Sequence, residues 1–327
     1  MNKTPLISVV MPVYNGAEFL KLAITSILEQ SLSDFELIVV NDASRDDSAK
    51  VINSFHDRRI RLVTHTQNLG ITKSLNHGIQ LARGKFIARM DQDDISLPQR
   101  FESQVKFLNS HPQVGFVGTA FAEIDQFGQI KRAIPVLLAD DELKIGLEYK
   151  STFAHGSVMF TRALVTQHAL TYSDKYKSCE DWYLWRRIAQ HTRLANLPAV
   201  LYLWRNIGTN MTAVFKVEMS QSRNLLKKML QTGKATQLTH QIVSAVLAHA
   251  DQYKNRQVVV AGQSVMMESQ REYLYLLLKM LTYLKLSQPT LLILIWQKIF
   301  SFSPVSLVAI LYNFIFRMWQ KRPQASI

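Results

Sequence analysis

Three carboxylates lie within four residues of this chain, at Asp91, Asp93 and Asp94. Carboxylates this close repel one another unless a cation lies among them, and their oxygens suit hard ions such as Mg²⁺ and Mn²⁺. Phosphate oxygens can complete the coordination shell of such an ion. The spacing therefore predicts a site for a divalent metal and a diphosphate. The alternative for an isolated Asp-x-Asp motif is a polar loop that caps the next helix, with Asp94 or Ser96 as the cap.

The elements before these acids predict how they are positioned. Residues 86–90 form an apolar run long enough for a buried strand, and ligands of open α/β sheets bind just beyond the carboxyl ends of strands. Three earlier strands and three helices alternate with this one. The strands are predicted over 7–13, 35–40 and 60–64, and the helices over 17–30, 44–55 and 71–82, with Ser44 or Asp46 as the cap of the second helix. The alternation predicts an α/β fold with a mostly parallel sheet and helices on both faces.

The turn after the first strand has none of the glycines of a dinucleotide site. It reads Tyr14, Asn15 and Gly16, without a Gly-x-Gly-x-x-Gly pattern. Those glycines let the backbone approach a pyrophosphate, so a dinucleotide-binding fold is not expected. A metal held by Asp91 and Asp93 is the predicted means of neutralising phosphate charge.

Charge divides the chain into two parts. Residues 1–199 carry 23 Lys and Arg against 21 Asp and Glu, a net charge of +2, whereas residues 200–327 carry 15 against 4, a net charge of +11. We place the boundary near residue 215, with a compact domain over 1–215 and a helical, basic region over 216–327. A basic, aromatic-rich region suits an anionic surface, either membrane or nucleic acid.

The uncharged run at residues 299–316 favours the membrane. It covers 18 positions and is followed by Arg317, Lys321 and Arg322. This length barely reaches a membrane span, so we expect helices that lie in the membrane surface with the apolar face down. A soluble helical domain or an oligomer contact is the alternative. Nucleic-acid binding is not expected, because the apolar residues form long runs.

Seven segments of the chain carry a resemblance to a known family. They are, in order, Val9-Val10-Met11-Pro12-Val13-Tyr14-Asn15, Glu36-Leu37-Ile38-Val39-Val40-Asn41-Asp42-Ala43-Ser44, Asn68-Leu69-Gly70, Ala82-Arg83-Gly84-Lys85-Phe86-Ile87-Ala88, Met90-Asp91-Gln92-Asp93-Asp94, Pro98-Gln99-Arg100-Phe101 and Glu180-Asp181-Trp182. Over about the first 210 residues the chain thus resembles glycosyltransferase family 2, whose members have the A-type nucleotide-sugar-binding fold. The last 110 or so residues match no pattern that we can use.

The resemblance implies an inverting glycosyltransferase. Such an enzyme moves a sugar of hexosyl or N-acetylhexosaminyl type from a nucleotide-diphosphate sugar, expected to be a UDP-sugar, to an acceptor hydroxyl. The acceptor would be a glycan or lipid-linked glycan in the synthesis of a cell-surface polysaccharide or lipid-linked oligosaccharide. Asp93 would ligate Mg²⁺ or Mn²⁺, Asp91 would contact the metal or the ribose, and Asp94 would orient either group. Asp181 matches the general base that deprotonates the acceptor; the alternative is that Glu180 and Asp181 cap a helix.

The resemblance also implies a set of donor contacts. Asp42 matches the residue that accepts a hydrogen bond from the nucleotide base, and Pro12 and Tyr14 match the wall against which the base lies. For Tyr14 the alternative is packing within the turn. Donors to the base or phosphates are expected among three further residues, although exposed basic side chains on helices are usually only solvated. These three are Asn68, Lys73 and Arg83.

Two further positions concern the acceptor and the metal. His155 and Glu180 are expected on the acceptor side, and for His155 a structural, partly buried histidine is the alternative. Many relatives carry a histidine two residues after the arginine that corresponds to Arg205, and that histidine completes the metal shell. Here the position is Ile207, so the metal keeps more water, Asn206 or Asn210 substitutes, or this loop is not a ligand loop.

Two other functions compete with the transferase. A sugar-phosphate nucleotidyltransferase normally needs a Gly-rich, basic signature after the first strand, which residues 11–16 lack. A non-catalytic nucleotide-sugar or glycan-binding module is opposed by the three acids Asp91, Asp93 and Asp181 but left open by Ile207. The single cysteine, Cys179, fits a reducing compartment, and no signal peptide is expected at the first short apolar run. We therefore expect the protein at the cytoplasmic face of the cell membrane.

Overall fold

The computed structural model of this chain describes residues 4–134, 136–147, 151–176, 178–207, 257–260 and 263–266. The predicted boundary near residue 215 and the uncharged run at 299–316 lie outside the described residues. Within those residues, no helix combines the length and the apolar character needed to cross a membrane.

Strands and helices alternate in the first part of the chain, as predicted. They are β1 (Ile7–Val13), α1 (Ala17–Leu28), β2 (Phe35–Asn41), α2 (Ser48–Asn53), β3 (Ile60–Thr64), α3 (Ile71–Leu81) and β4 (Phe86–Arg89). The largest difference from prediction concerns α2, which begins four residues later than expected. Its N-cap is Asp47, so Ser44 and Asp46 do not cap it.

The second part of the chain is less regular. It contains β5 (Ile95–Ser96), α4 (Arg100–Ser110), β6 (Val114–Ile124), β7 (Ile130–Ile134), α5 (Asp140–Gly146), β8 (Met159–Thr161), α6 (Arg162–Gln167), α7 (Glu180–Ile188) and β9 (Arg193–Arg205). Short 3-10 helices lie at His155–Ser157 and Asp174–Tyr176. The strand β6 runs without a break over 11 residues, and its register against β9 shifts at three points.

Nine of these strands form one sheet, in the order β3-β2-β1-β4-β8-β6-β9-β5, with β7 paired to β6. The strands β1 to β4 are parallel, as the alternation predicts. Beyond β4 the sheet is mixed rather than mostly parallel, because β8 runs antiparallel to both β4 and β6 while β6 and β9 are parallel. The three-residue strand β8 thus joins a parallel half to a mixed half.

Helices cover both faces of the parallel half, as predicted. Alternate residues of β1 divide between two cores: Val10 packs with Leu75 of α3, whereas Val9 and Met11 pack with Ile24 of α1. Strands buried on both faces appear in a sequence as short, mainly apolar segments, which is why β1, β2 and β4 could be predicted from their sequence pattern.

The strand order creates a crevice at the carboxyl ends of β1 and β4. The chain moves outward from β1 to β2 and β3, and then returns to add β4 on the other side of β1. Ligands of open α/β sheets bind at such a point, outside the carboxyl ends of the strands. The acids at 91–94 follow β4 and the turn at 14–16 follows β1, so both lie at this crevice.

The region predicted to be helical contains a short hairpin. Its strands β10 (Gln257–Val260) and β11 (Gln263–Met266) pair antiparallel. The sequence analysis did not predict these strands, because the apolar residues around them suggested helical spacing.

Candidate active site

The acids after β4 are held by a buried arginine. Arg89, at the end of the strand, forms an ion pair with Asp91, with Nη2 and Oδ1 2.6 Å apart, and also donates to the carbonyl of Met90. Asp91 and Asp93 remain partly exposed to the crevice. Burial and the neighbouring charge of Asp91 raise the pKa of Asp93 to about 6. A carboxylate with this environment is stabilised in its charged form by a nearby cation.

Asp94 has a different role from its two neighbours. It is 2% exposed, and its carboxylate accepts hydrogen bonds from the Tyr202 hydroxyl and the Arg205 backbone N–H, both at 2.7 Å. Burial and the charge of Asp93 raise its pKa well above the usual value. Asp94 therefore fastens the acidic loop to β9. It does not cap α4, and neither does Ser96, because the N-cap of α4 is Gln99.

Arg205 is a further support of the acidic loop that the sequence analysis did not identify. Its Nε donates to the carbonyl of Asp93 at 2.7 Å, and its Nη1 donates to the carbonyls of Asp125 and Gln126 at 2.9 and 3.2 Å. Its guanidinium lies 4.4 Å from the ring centre of Phe19. The turn between β6 and β7, the acidic loop and α1 therefore meet at one buried side chain.

The residues present fit a metal that shares its coordination shell with a ligand. Asp91 and Asp93 supply two carboxylates, and no group of three or more His, Cys, Asp or Glu suited to a metal occurs among the described residues. Asn206 donates from Nδ2 to Glu123 Oε1 at 2.8 Å, so its amide is used within the chain, and Ile207 has no ligand atom. A donor set of this kind suits Mg²⁺ or Mn²⁺ completed by water and phosphate oxygens. Asn210 lies outside the described residues.

The backbone N–H groups at the start of α1 donate hydrogen bonds to side chains of this chain. The N–H groups of residues 14, 15, 16 and 17 donate, in order, to Gln92, Ser44, Ser48 and Asp46, at 2.8 to 3.1 Å. Amides that bind phosphate in a dinucleotide fold are thus used within this chain, in agreement with the missing glycine pattern. The contacts also explain why Ser44 and Asp46 do not cap α2. Tyr14 is 41% exposed at the crevice, whereas Pro12 is buried within β1.

Asp42 supports the turn before α3. Its carboxylate accepts from the backbone N–H groups of Leu69 and Gly70 at 2.9 and 2.8 Å and lies 2.7 Å from His65 Nδ1. His65 Nε2 lies 2.9 Å from Nδ1 of His77 on α3. Both oxygens of Asp42 are therefore engaged, and the predicted contact with a nucleotide base would share an oxygen with these donors.

The other residues predicted to contact the donor lie at opposite ends of the strands. Asn68 and Lys73 are exposed beyond the carboxyl end of β3, at the same end of the sheet as the crevice. The prediction for Arg83 is wrong. Arg83 precedes β4 and forms an ion pair with Glu36 at the start of β2, with Nη2 and Oε2 2.8 Å apart. It therefore lies at the amino ends of the strands, away from the crevice, and stabilises the sheet.

Glu180 and Asp181 form the first turn of α7. Burial and the charge of Asp181 raise the pKa of Glu180 to about 7, and its Oε2 has no hydrogen-bond partner among the described residues. Burial also raises the pKa of Asp181, and Asp91 contributes to this shift. The N-cap residue is Cys179, not either acid. The charge of Asp91 contributes to the raised pKa of both acids, so the two predicted parts of the site influence each other electrostatically.

His155 belongs to a buried hydrogen-bond network. Its Nε2 lies 3.4 Å from Arg89 Nε and 2.9 Å from the Tyr172 hydroxyl. Burial and the charge of Arg89 lower the pKa of His155 to about 3, so the ring is neutral at neutral pH. Since arginine only donates, Nε2 is an acceptor and the proton is on Nδ1. This environment supports the structural role that the sequence analysis held open, and the acceptor-side role stays a prediction.

The fold and the site together define a class of protein. A parallel half-sheet ends in two partly exposed carboxylates, the exposed ring of Tyr14 follows β1, and two further acids begin α7. This is the arrangement of an A-type nucleotide-sugar transferase. The family model for glycosyl transferase family 2 matches residues 8–168, and the chain belongs to this family.

Two characterised relatives have names that refer to polysaccharide synthesis. The chain is 33% identical over 201 residues to the amylovoran biosynthesis glycosyltransferase AmsE of Erwinia amylovora, over 60% of this chain and 74% of AmsE. It is 31% identical over 244 residues to the O-antigen biosynthesis glycosyltransferase WbnJ of Escherichia coli, over 72% of this chain and 94% of WbnJ.

Solved structures share the fold at low identity. Staphylococcus aureus TarS 1-349 in complex with UDP has a TM-score of 0.54 and 17% identity, over 75% of this chain and 80% of TarS 1-349. The mannosyltransferase PcManGT of Pyrobaculum calidifontis, in complex with GDP-Man and Mn²⁺, has a TM-score of 0.54 and 18% identity, over 88% of this chain and 82% of PcManGT. These likenesses confirm the predicted A-type fold.

Proposed function

We propose that this glycosyltransferase is inverting and transfers a hexosyl or N-acetylhexosaminyl group from a UDP-sugar to a hydroxyl of a glycan or lipid-linked glycan. The observation that carries the proposal is the raised pKa of the buried Asp181, to which the charge of Asp91 contributes. Inversion needs a base on one side of the anomeric carbon and a departing diphosphate on the other. The names of AmsE and WbnJ support a role in the synthesis of a cell-surface polysaccharide.

Each acid has a separate task in the proposed reaction. Mg²⁺ or Mn²⁺ bound by Asp93 and Asp91 would neutralise the charge that develops on the departing diphosphate. Tyr14 offers its exposed ring as the wall for the nucleotide base. Asp181 takes the proton of the acceptor hydroxyl, and its raised pKa makes its carboxylate a stronger base than an exposed aspartate.

Glu180 completes the acceptor side in this proposal. With its pKa raised to about 7, it holds a proton for part of the time at neutral pH. A carboxylic acid in this state donates a hydrogen bond where the ionised form only accepts. Its unpartnered Oε2 is therefore suited to a sugar hydroxyl on the acceptor or donor.

A donor screen tests the function. Purified protein is incubated with UDP-, GDP- and TDP-sugars, free glycans and lipid-linked glycans, with Mg²⁺, with Mn²⁺ or with EDTA. Release of nucleoside diphosphate and the mass of the product are measured, and NMR of the product gives the anomeric configuration. Metal-dependent transfer with inversion is expected. Retention would contradict the proposed mechanism, and binding of donor without any transfer would support the non-catalytic module.

The site of action is also part of the proposal. Residues 216–327 would hold the protein at the cytoplasmic face of the membrane, against anionic lipid. The support is the net charge of +11 over residues 200–327 and the uncharged run at 299–316. A lipid-linked acceptor would then be presented at the surface to which the catalytic domain is bound.

A further inference from the structure

Gln92, the residue between the two candidate metal ligands, is bonded to the turn after β1. Its Oε1 accepts from the N–H of Tyr14 at 2.8 Å, and its Nε2 donates to the carbonyl of Tyr14 at 3.2 Å. A side-chain amide thus pairs with both the N–H and the C=O of one residue 78 positions away, as two residues exchange hydrogen bonds in an antiparallel sheet. We call this pair of hydrogen bonds the Gln92–Tyr14 bridge.

The bridge lies where the backbone pairing of the two strands has ended. The register of β1 with β4 ends at Val10 and Arg89, and the last backbone bond runs from Met90 N to Val10 O at 3.1 Å. Beyond that bond the two chain segments form the two walls of the crevice. The Gln92 side chain continues the connection between them by two further hydrogen bonds.

Gly16 provides a second observation on the bridge. A methyl group built on Gly16 would overlap the amide atoms of Gln92. The backbone of Gly16 has φ of −114° and ψ of 12°, outside the left-handed region, so backbone conformation does not require glycine there. A side chain at position 16 would therefore displace the Gln92 amide from its place against Tyr14.

We infer that Gln92 is a positioning residue that joins the proposed base wall at Tyr14 to the proposed metal loop at Asp91 and Asp93. The inference rests on the proposed function, because a nucleoside diphosphate is the ligand that would touch both parts. The base would contact the wall and the diphosphate would contact the metal. A fixed connection between the two parts reduces the ordering cost of binding such a ligand.

The first test is Gln92→Met, which keeps the length of the side chain and removes both hydrogen bonds. Loss of two neutral hydrogen bonds should weaken binding by about tenfold. Calorimetry would measure the binding of uridine, and of UDP in the presence of Mn²⁺. Electron paramagnetic resonance would measure the binding of Mn²⁺ alone. Uridine does not reach the metal and Mn²⁺ does not reach the base, so a joint loss identifies the connection. Gln80→Ala, an exposed glutamine on α3, is the control and should change neither.

The second test is Gly16→Ala, which displaces the amide without changing Gln92. It should weaken uridine and Mn²⁺ binding like Gln92→Met, and it should add little in the Gln92→Met background, because the two changes disrupt the same contact. Amide hydrogen exchange at Tyr14 should be faster in both variants. All affinities would be measured well below the melting temperature of each variant, so that a loss of global stability does not imitate the effect.

The outcomes separate this inference from the proposed function. Wild-type protein that binds UDP with Mn²⁺, together with Gln92→Met protein of equal affinity for uridine and Mn²⁺, would overturn the inference alone. The inference would also be overturned if the losses of affinity caused by Gln92→Met and Gly16→Ala were fully additive in the double variant. Wild-type protein that binds no nucleoside diphosphate would overturn the proposed function, and the inference with it, even if Tyr14 exchange still reported an intact bridge.

Discussion

The hydroxyl of Tyr202 donates a 2.7 Å hydrogen bond to the carboxylate of Asp94, 108 positions earlier in the chain. Both side chains are buried, and the bond joins the acidic loop after β4 to the strand β9. The candidate metal ligands Asp91 and Asp93 lie on that loop. The geometry of the site thus depends on a strand from the mixed half of the sheet, beyond the segment that carries the acids.

The substitution Tyr202→Phe should therefore affect both stability and transfer. It leaves a buried carboxylate oxygen without its donor, which should cost roughly 1–3 kcal/mol of unfolding free energy. Urea unfolding and the Mn²⁺ dependence of transfer would be measured on the same protein. Tyr183→Phe, on a ring that stacks with Tyr176, serves as the control. Unchanged stability and metal dependence would show that the bond does not position the loop.

Much of the first half of the fold could be predicted because β1, β2 and β4 are buried on both faces. Short, mainly apolar segments rich in β-branched residues, such as Ile7–Val13 and Phe35–Asn41, favour strands at that length, and polar turns separate them from helices of clear period. The second half could not be predicted to the same degree. A three-residue strand such as Met159–Thr161 carries no periodic signal, and neither its partners nor its direction follow from local sequence.

The site shows a similar division. The roles of Asp91, Asp93 and Asp181 stay predictions, and they rest on the ordered motifs of the family resemblance more than on residue type. Arg83 was misplaced, because its partner Glu36 is 47 positions away and local sequence does not show which edge of the sheet it reaches. The supporting role of Arg205 was missed for the same reason. It contacts backbone carbonyls, and those contacts do not depend on the residue types that supply them.

Asp93→Ala should abolish metal-dependent transfer while the protein stays folded. The pKa of Asp93 is raised to about 6 in the folded state, above its usual value of 3.8, so the ionised carboxylate is a cost to the metal-free fold above pH 6. Its removal should not lower stability at pH 8. Mn²⁺ binding, transfer and thermal unfolding would be compared with those of Asp47→Ala, which removes an exposed ion pair with Lys50 at the N-cap of α2, where the Asp47 side chain makes no capping hydrogen bond. Wild-type rates at limiting metal would exclude Asp93 as a ligand.

Asp181→Asn should keep donor binding and lose turnover. The amide preserves the shape of the side chain but does not take a proton at neutral pH, and loss of a general base costs roughly 10²–10⁴-fold in rate. Calorimetry with UDP and Mn²⁺ and turnover with acceptor would be measured on one preparation. A fall in donor affinity as large as the fall in rate would assign Asp181 to binding and not to proton transfer.

Glu180→Gln should change how stability depends on pH. The pKa of Glu180 is about 7 in the folded protein against 4.5 for an unperturbed glutamate, owing to burial and the charge of Asp181. Between these values the folded state binds a proton that the unfolded state has released, so this group lowers stability as pH rises. The full shift corresponds to roughly 3 kcal/mol, and the neutral amide should remove that loss.

Urea unfolding at pH 5 and pH 8 measures the effect of Glu180→Gln. At pH 8 the free energy of unfolding of the variant, relative to that of the wild type, should be higher than it is at pH 5. The charged groups that influence the Glu180 carboxyl are Asp181, Asp91 and Arg89. Glu102 on α4 is not among them, so Glu102→Gln is the control for loss of an acid elsewhere in the fold. Equal pH dependence in wild type and Glu180→Gln would show that Glu180 is ionised throughout this range.

Deletion of residues 290–327 should release the protein from membranes and leave transfer to a soluble acceptor intact. The uncharged run at 299–316 would insert its apolar side chains, and Arg317, Lys321 and Arg322 would each add about 1 kcal/mol at an anionic surface. Co-sedimentation with anionic and neutral vesicles, in low and high salt, compares the full chain with the truncated one. Surface binding should weaken partly with salt and fully with detergent, since salt screens only the charge contribution. Full-length protein that stays in solution with both vesicle types would assign the apolar run to a core or an oligomer contact.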